Sequence, residues 1–523
     1  MLLLSLKKLD HAGYQHQKKA NLNFIGLKEA SFIFRKSVKQ SQHFFKIHIM
    51  KRYINPYTFA LLMVFFSACK VSKDVATPKA QLPDNFRNAE VSSSADTAGI
   101  AAVQWKIFFT DITLQKLIDS AIIKNYDMRI AVKNIDEAQL LFKQVKWNYV
   151  PAVALNVTAS SNRPSNNSLT GLSIAQYNIG TKHVEDYSAN LSLAWEADIW
   201  GKIRNQQKSA LAAYLQTSEA RKAIQTNLVA SVSQGYYNLL MLDAQLDIAQ
   251  KNVRLNDSTL RIIKLQYNAG QVTLLAVQQS EAQELAAAQL IPVFEKNITL
   301  QENALRILTS ELPDRISRNA TLDQLMLPES LGTGLPSAIV SRRPDVKSAE
   351  LALVIANSRV GITKAEMYPA LQITASGGIN SFKASNWFNI PASLFGTVAG
   401  GLVQPLLNHK ILKTDYLVAK VDREKTVLQF RQTVLNAVGE VSDALVTIEK
   451  LKSQQAIAAN RVNTLQQATK NANLLFKNGM ATYLEVITAQ SNVLQSELDL
   501  ASIKRDELSA VSDLYRSLGG GWK

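Results

Sequence analysis

A single cysteine, Cys69, stands among the 523 residues, so no internal disulfide can form and the fold must rest on burial and hydrogen bonding. Proline is missing between Pro164 and Pro292 and again after Pro405. Within residues 202–269 the only glycine is Gly235, and within 406–478 it is Gly439. Because these two residue types interrupt helices most strongly, helices far beyond the usual length of about 11 residues are permitted. Beyond residue 49 the only histidines are His183 and His409, far apart and without metal-ligand spacing. Walker-type and G-x-S-x-G runs are missing, and Gly519-Gly520-Gly521 is followed by no helical pattern that would cradle a phosphate. No catalytic residue, cofactor or metal is therefore expected, and the chain reads as a non-enzyme.

The formal charge of +16 at first suggests nucleic acid or an anionic surface, but its distribution argues otherwise. Residues 1–49 carry nine Lys/Arg against two Asp/Glu, and no basic run interleaved with aromatics follows them. A phosphate-reading surface needs clustered basic side chains, so no nucleic-acid partner is expected.

Around Cys69 the sequence has a different logic. Met50-Lys51-Arg52 is followed by the largely apolar run Tyr57 to Phe66 and then Ser67-Ala68-Cys69. A basic start, a short apolar stretch and small residues before a cut are the parts of a secretory signal. A bilayer span needs about 20 apolar residues, so the run is too short to cross. The arrangement resembles a bacterial lipoprotein signal, with Phe66 where Leu is usual, and this implies cleavage after Ala68 and lipidation of Cys69. The alternative is a buried cysteine at the end of a core helix. Residues 1–49 are expected to be an upstream extension outside the mature protein, with translation starting at Met50. Residues 50–68 are expected to be the signal, and residues 69–110, rich in Ser, Ala, Asp and Pro, a lipid-anchored tether.

The first helical pattern starts at Asp111, a candidate N-cap, with Leu114, Leu117, Ile118, Ala121 and Ile122 at helical spacing to about Trp147. Past Pro151, Val153, Leu155, Val157 and Ala159 alternate with Ala154, Asn156, Thr158 and Ser160. A second alternation sets Tyr187, Ala189, Leu191, Leu193 and Trp195 against Ser188, Asn190, Ser192, Ala194 and Glu196. Such segments fit either a transmembrane barrel or an ordinary half-buried hairpin.

An internal repeat favours the barrel. Tyr267-Asn268-Ala269-Gly270, before a helix over 273–310, matches Phe476-Lys477-Asn478-Gly479, before a helix over 482–518, at an offset of 209 residues. Tyr149-Val150-Pro151 likewise matches Tyr368-Pro369, which precedes a third alternating segment at Leu371, Ile373 and Ala375. A fourth strand is expected over Leu394 to Val403. Two units over 111–325 and 326–523 thus read as helix, two strands, long helix, glycine turn, helix. A helix from about 205 to 268 would be roughly 95 Å long at about 1.5 Å per residue, and needs partners along its length. Four strands cannot close a barrel in lipid, so several chains must share one: two copies bring eight strands, three bring twelve.

At this point the chain resembles the TolC-like outer-membrane efflux proteins, in the lipoprotein branch serving resistance-nodulation-division pumps. The resemblance rests on Trp195-Glu196-Ala197-Asp198-Ile199-Trp200-Gly201-Lys202-Ile203-Arg204, on Ser341-Arg342-Arg343-Pro344-Asp345-Val346, on Ala365 to Ala370, on Gln404-Pro405-Leu406-Leu407 and on the two glycine turns. It implies a mainly α-helical homotrimer with a coiled-coil helical barrel and a shared 12-stranded β-barrel. It implies three kinds of partner: outer-membrane lipid, a periplasmic adaptor protein and an inner-membrane transporter. The adaptor-contact tip would be built from Gly270, Thr273, Gly479, Thr482 and Tyr483. Acidic residues that ring the closed tip in family members correspond here to Glu485 and Thr488, of which only Glu485 is acidic. A ring of Glu at a narrow aperture would favour cations, although a Glu on a helix face is more simply a solvated coiled-coil residue. Where members often carry paired glycines, this chain has Asn408-His409-Lys410. Pro344 and Asp345 fit a helix start, with Arg342 and Arg343 as packing residues.

The function so implied is a passive exit duct for small molecules from periplasm to exterior. A type I secretion duct and a non-channel periplasmic coiled-coil scaffold are the alternatives; a scaffold has no use for four segments with one apolar face.

Overall fold

The computed structural model describes residues 83, 86, 100–176, 182–325 and 342–523. The chain divides into two compact units, Met1–Cys69 and Lys70–Lys523, and every described residue belongs to the second. Cys69 and the residues expected to form the signal (50–68) and the upstream extension (1–49) lie outside the described residues.

Helix α1 (Ile112–Lys124) opens on Asp111, whose carboxylate accepts the Leu114 N–H at 2.7 Å. Leu114, Leu117, Ile118 and Ala121 are buried as their spacing predicts. The single helix expected to run on to Trp147 is broken at Asn125, and α2 (Tyr126–Lys146) starts there. The Asn125 N–H closes α1 on the Ala121 carbonyl, its side-chain oxygen accepts the Met128 N–H at 3.1 Å, and its amide donates to the Leu308 carbonyl at 3.0 Å. One buried amide therefore ends one helix, caps the next and ties both to a third. Asparagine competes for backbone partners in this way, while the apolar spacing carries on across the break.

Strands β1 (Ala152–Asn162) and β2 (Val184–Ala197) follow, then α3 (Lys202–Asn268) and α4 (Leu274–Leu308). The second half repeats the order with α5 (Pro344–Ala365), β3 (Ala370–Ser381), β4 (Leu394–Val403), α6 (Ile411–Lys477) and α7 (Tyr483–Ser517). Helices α3 and α6 have 67 residues each and α4 and α7 have 35 each, and every boundary in the second pair lies 209 positions after its counterpart in the first. At about 1.5 Å per residue the long helices reach roughly 100 Å. Pro292 lies inside α4, where it removes one helical hydrogen bond; Ile291 and Phe294 beside it pack into the core.

Burial is distributed along the helices in three clusters. The largest joins α1, the middle of α3, the end of α4 and α7 through Leu114, Ile118, Val232, Tyr236, Leu305 and Tyr515. A second joins α5, α6 and α7 through Val346, Phe430, Val441 and Leu514. The third packs the glycine-turn ends of α3, α4, α6 and α7 through Leu260, Ile263, Val277, Phe476 and Val486. At Gly235 a Cβ would meet Leu305 at 2.8 Å, so this glycine lets α3 and α4 approach.

Two arginines fasten the frame. Arg318 grips Asp243 of α3 through two bonds of 2.7 Å and also bonds Glu302 of α4. Arg343, buried just before α5, holds Asp345 at 2.7 Å, Glu440 of α6 at 3.0 Å and the Ser517 carbonyl at 2.8 Å. Pro344 takes the first helical position and Asp345 the first turn, where a carboxylate meets the positive end of the helix dipole.

Candidate functional site

The four strands form one antiparallel sheet in the order β1-β2-β3-β4, and the β2–β3 pairing joins the two halves of the repeat. The register aligns the two alternating patterns face by face. Val153, Leu155 and Val157 oppose Leu193, Leu191 and Ala189, which in turn oppose Ala375, Gly377 and Ile379. Val398 and Leu394 extend this row on β4. A one-residue slip would have mixed the faces. The result is a continuous apolar face, with Leu155 69% and Val398 83% exposed. The opposite face carries a polar ladder, in which Asn156 bonds Ser192 at 2.9 Å, Ser376 bonds Thr397 at 2.7 Å and Asn380 donates to Asp186 at 2.7 Å.

Aromatic residues gather at both ends of the apolar face. Near the helices Trp195, in the apolar row, donates to the Tyr149 carbonyl at 3.0 Å, while Trp200 stacks on Tyr368 at 4.9 Å on the polar side, beside Glu196 and Gln372. At the other end Tyr187, Trp387 and Phe388 lie ring to ring at 5.7 and 5.2 Å. An apolar band between aromatic girdles, on strands of 10 to 14 residues, is the pattern of a sheet in lipid. Among the described residues no helix is long and apolar enough to cross a membrane.

At the opposite ends of the long helices lie the two glycine turns. Gly270 has φ +72° and Gly479 φ +71°. Around Gly270, its own N–H reaches the Tyr267 carbonyl and that of Gln271 reaches Gln266, both at 2.9 Å; Gly479 and Met480 repeat this at Phe476 and Leu475. These are Schellman ends, and since a Cβ at either glycine meets nothing within 4 Å, the glycines are required by backbone angle alone. Thr273 and Thr482 occupy the N-caps of α4 and α7. The Tyr483 hydroxyl donates to Gln279 at 2.7 Å and so links the two turns.

Glu485 and Thr488 are both exposed, three residues apart on one face of α7. Glu485 also has a local task that the resemblance did not bring out: its carboxylate accepts the Thr482 N–H at 2.6 Å and completes a capping box. The signal was in the sequence, as Thr482-x-x-Glu485 before an apolar pattern. The first turn has Ala276 at the matching position, and no side-chain cap at Thr273.

At the paired-glycine position of the family, His409 and Lys410 adopt φ +47° and +60°. The backbone therefore keeps the left-handed turn that glycine would favour, and the Ile411 N–H closes it on the Asn408 carbonyl at 2.8 Å. Among the described residues no group of three or more His, Cys, Asp or Glu is placed to hold a metal.

A polar-and-apolar sheet carried on paired helices of this length defines an outer-membrane channel fold, and known proteins share it. The family model described as outer membrane efflux protein matches residues 117–311 and 335–520, one segment in each half of the repeat. The chain belongs to this family. It is 28% identical over 473 residues to the probable efflux pump outer membrane protein TtgC of Pseudomonas putida, covering 88% of this chain and 95% of that protein. It is 26% identical over 474 residues to the cation efflux system protein CusC of Escherichia coli, covering 90% and 98%. The open-state structure of the Neisseria gonorrhoeae MtrE outer membrane channel superposes with a TM-score of 0.77 at 24% identity, over 87% of this chain and 99% of that one.

Proposed function

We propose that this protein is the outer-membrane channel component of a tripartite efflux pump, a passive duct for small molecules from periplasm to exterior. The observation that carries the reading is the open sheet: among the described residues β1 and β4 each leave one edge unpaired, while the sheet presents a continuous apolar face. In hydrocarbon each unsatisfied backbone group costs several kcal/mol, so such a sheet is stable only when copies close a barrel edge to edge. Three chains of four strands supply twelve, and a homotrimer is the state we assign. The TtgC and CusC likenesses support efflux, and the absence of any nucleotide motif leaves energy to an inner-membrane transporter.

In this reading Cys69 carries the lipid anchor, residues 69–110 are its tether, and 111–325 and 326–523 are the two repeats. The turns at Gly270 with Thr273, and at Gly479 with Thr482 and Tyr483, contact the periplasmic adaptor. Glu485 contributes an acidic ring at the aperture, with Thr488 beside it.

Single-channel conductance in a planar bilayer, with native mass analysis of the detergent-purified chain from Cys69, tests the proposal. Discrete cation-selective pores from a trimer are expected. A species that remains soluble without detergent and never inserts would replace the channel with the periplasmic scaffold.

A further inference from the structure

We infer that a cavity at the junction of sheet and helices binds a small organic cation bearing a flat apolar group. The cavity has a volume of about 240 Å³, and its walls include Glu196, Trp200, Lys202, Glu366, Tyr368 and Gln372. Glu196 and Gln372 are cross-strand partners on the polar face of the sheet, so the cavity belongs to the side that faces away from lipid. Its volume is slightly below that of a typical drug site, enough for one ring and a compact charged head.

Charge and shape select the ligand class. Three carboxylates, those of Glu196, Asp198 and Glu366, line the cavity against one ammonium, Lys202, which leaves a net charge of −2. Two of the carboxylates are committed. Glu196 holds the Lys202 Nζ at 3.1 Å from each oxygen, and Asp198 accepts the Ile203 and Arg204 N–H groups at 2.9 and 3.0 Å, where it caps α3. Half-buried Glu366, at the C-terminal end of α5, makes no side-chain hydrogen bond or ion pair among the described residues. Beside it stands an aromatic wall. Trp200 and Tyr368 stack at 4.9 Å, and the indole N–H is fixed on the Pro369 carbonyl at 2.7 Å. An uncommitted carboxylate next to held aromatic faces suits an ammonium through both its charge and the ring quadrupole, and repels anions. The site concerns binding alone and does not depend on the transport reading.

Benzyltrimethylammonium, whose charge does not vary with pH, is the probe. It is titrated into the full chain in non-ionic detergent at low salt and followed by calorimetry and indole fluorescence. Saturable binding is expected, with the isosteric-ring anion benzenesulfonate silent. Glu366→Gln should weaken binding about tenfold. Lys202→Gln, which frees Glu196, should tighten it severalfold, a change of sign that general damage to the fold would not produce. Trp200→Phe should abolish the fluorescence change while calorimetric binding persists. A non-saturable titration, equal binding of benzenesulfonate, or unchanged affinity in both Glu366→Gln and Lys202→Gln overturns the inference. Because no bilayer is involved, its failure is separable from failure of the channel reading, which conductance measures.

Discussion

The Glu485 carboxylate lies 2.6 Å from the Thr482 N–H and closes the capping box that begins α7, beside the second glycine turn. One side chain thus holds the helix start and presents its charge at the same end of the molecule. The two tasks separate by substitution. Glu485→Gln keeps a capping oxygen and loses the charge, so thermal stability should stay near that of the parent while cation selectivity in bilayers falls. Glu485→Ala loses both, at a cost of about 1 kcal/mol. Equal destabilisation by the two variants would show that the charge, and not the cap, stabilises the turn.

His409 and Lys410 sit in the left-handed region, at a cost of about 1–2 kcal/mol per non-glycine residue. Replacing either with glycine relieves most of this and gives back some as chain entropy. His409→Gly and Lys410→Gly should each raise the unfolding temperature of the detergent-solubilised protein by about 1–2 °C. A lower unfolding temperature would mean that these side chains make contacts worth more than the backbone strain.

Glu311 fastens the end of α1 to the segment after α4. The Lys124 ammonium and the Arg306 guanidinium, acting against partial burial, hold its carboxyl well below the ordinary range, at about 2. A carboxylate whose pKa is lower in the folded state stabilises above its unfolded value and loses that contribution as pH falls. The stability difference between the parent and Glu311→Gln should therefore be full above about pH 4.5 and shrink toward zero near pH 2. Denaturant unfolding across that range measures it, and a difference independent of pH would assign the effect to packing.

Arg318 pairs with both Asp243 and Glu302, and removing it leaves two carboxylates without a cation among the described residues, with Glu302 keeping only the Ile316 N–H at 3.1 Å. Arg318→Ala should cost about 3–5 kcal/mol. Arg318→Lys should recover only part, because an ammonium cannot bond both Asp243 oxygens in parallel. If Arg318→Met together with Asp243→Leu and Glu302→Leu is as stable as the parent, the cluster serves specificity of packing more than stability.

Much of the architecture was legible because it follows from local pattern. Period-two alternation placed three strands, and the fourth, expected over Leu394 to Val403 ahead of Pro405, has those bounds. Scarcity of proline and glycine allowed 67-residue helices, and Gly270 and Gly479 marked where they end. Asp111 capped α1 as its residue type suggested. Asn125 was not legible as a helix boundary, because its side-chain amide is held there by a hydrogen bond donated to the carbonyl of Leu308, a residue 183 positions away. Nor did residue types alone reveal the left-handed turn at His409 and Lys410, which glycine would have announced.

By itself, then, the sequence determined periodicity, element lengths, turn positions and the twofold repeat, all of which depend on residues within a few positions of one another. The tertiary structure decided which strand pairs with which, how the apolar rows align into one face, where Arg318 and Arg343 fasten distant helices, and that Trp200, Tyr368 and Glu366 share a cavity. Those relations join residues up to hundreds of positions apart, and they are selected by the packing of whole elements, on which short-range pattern carries no information.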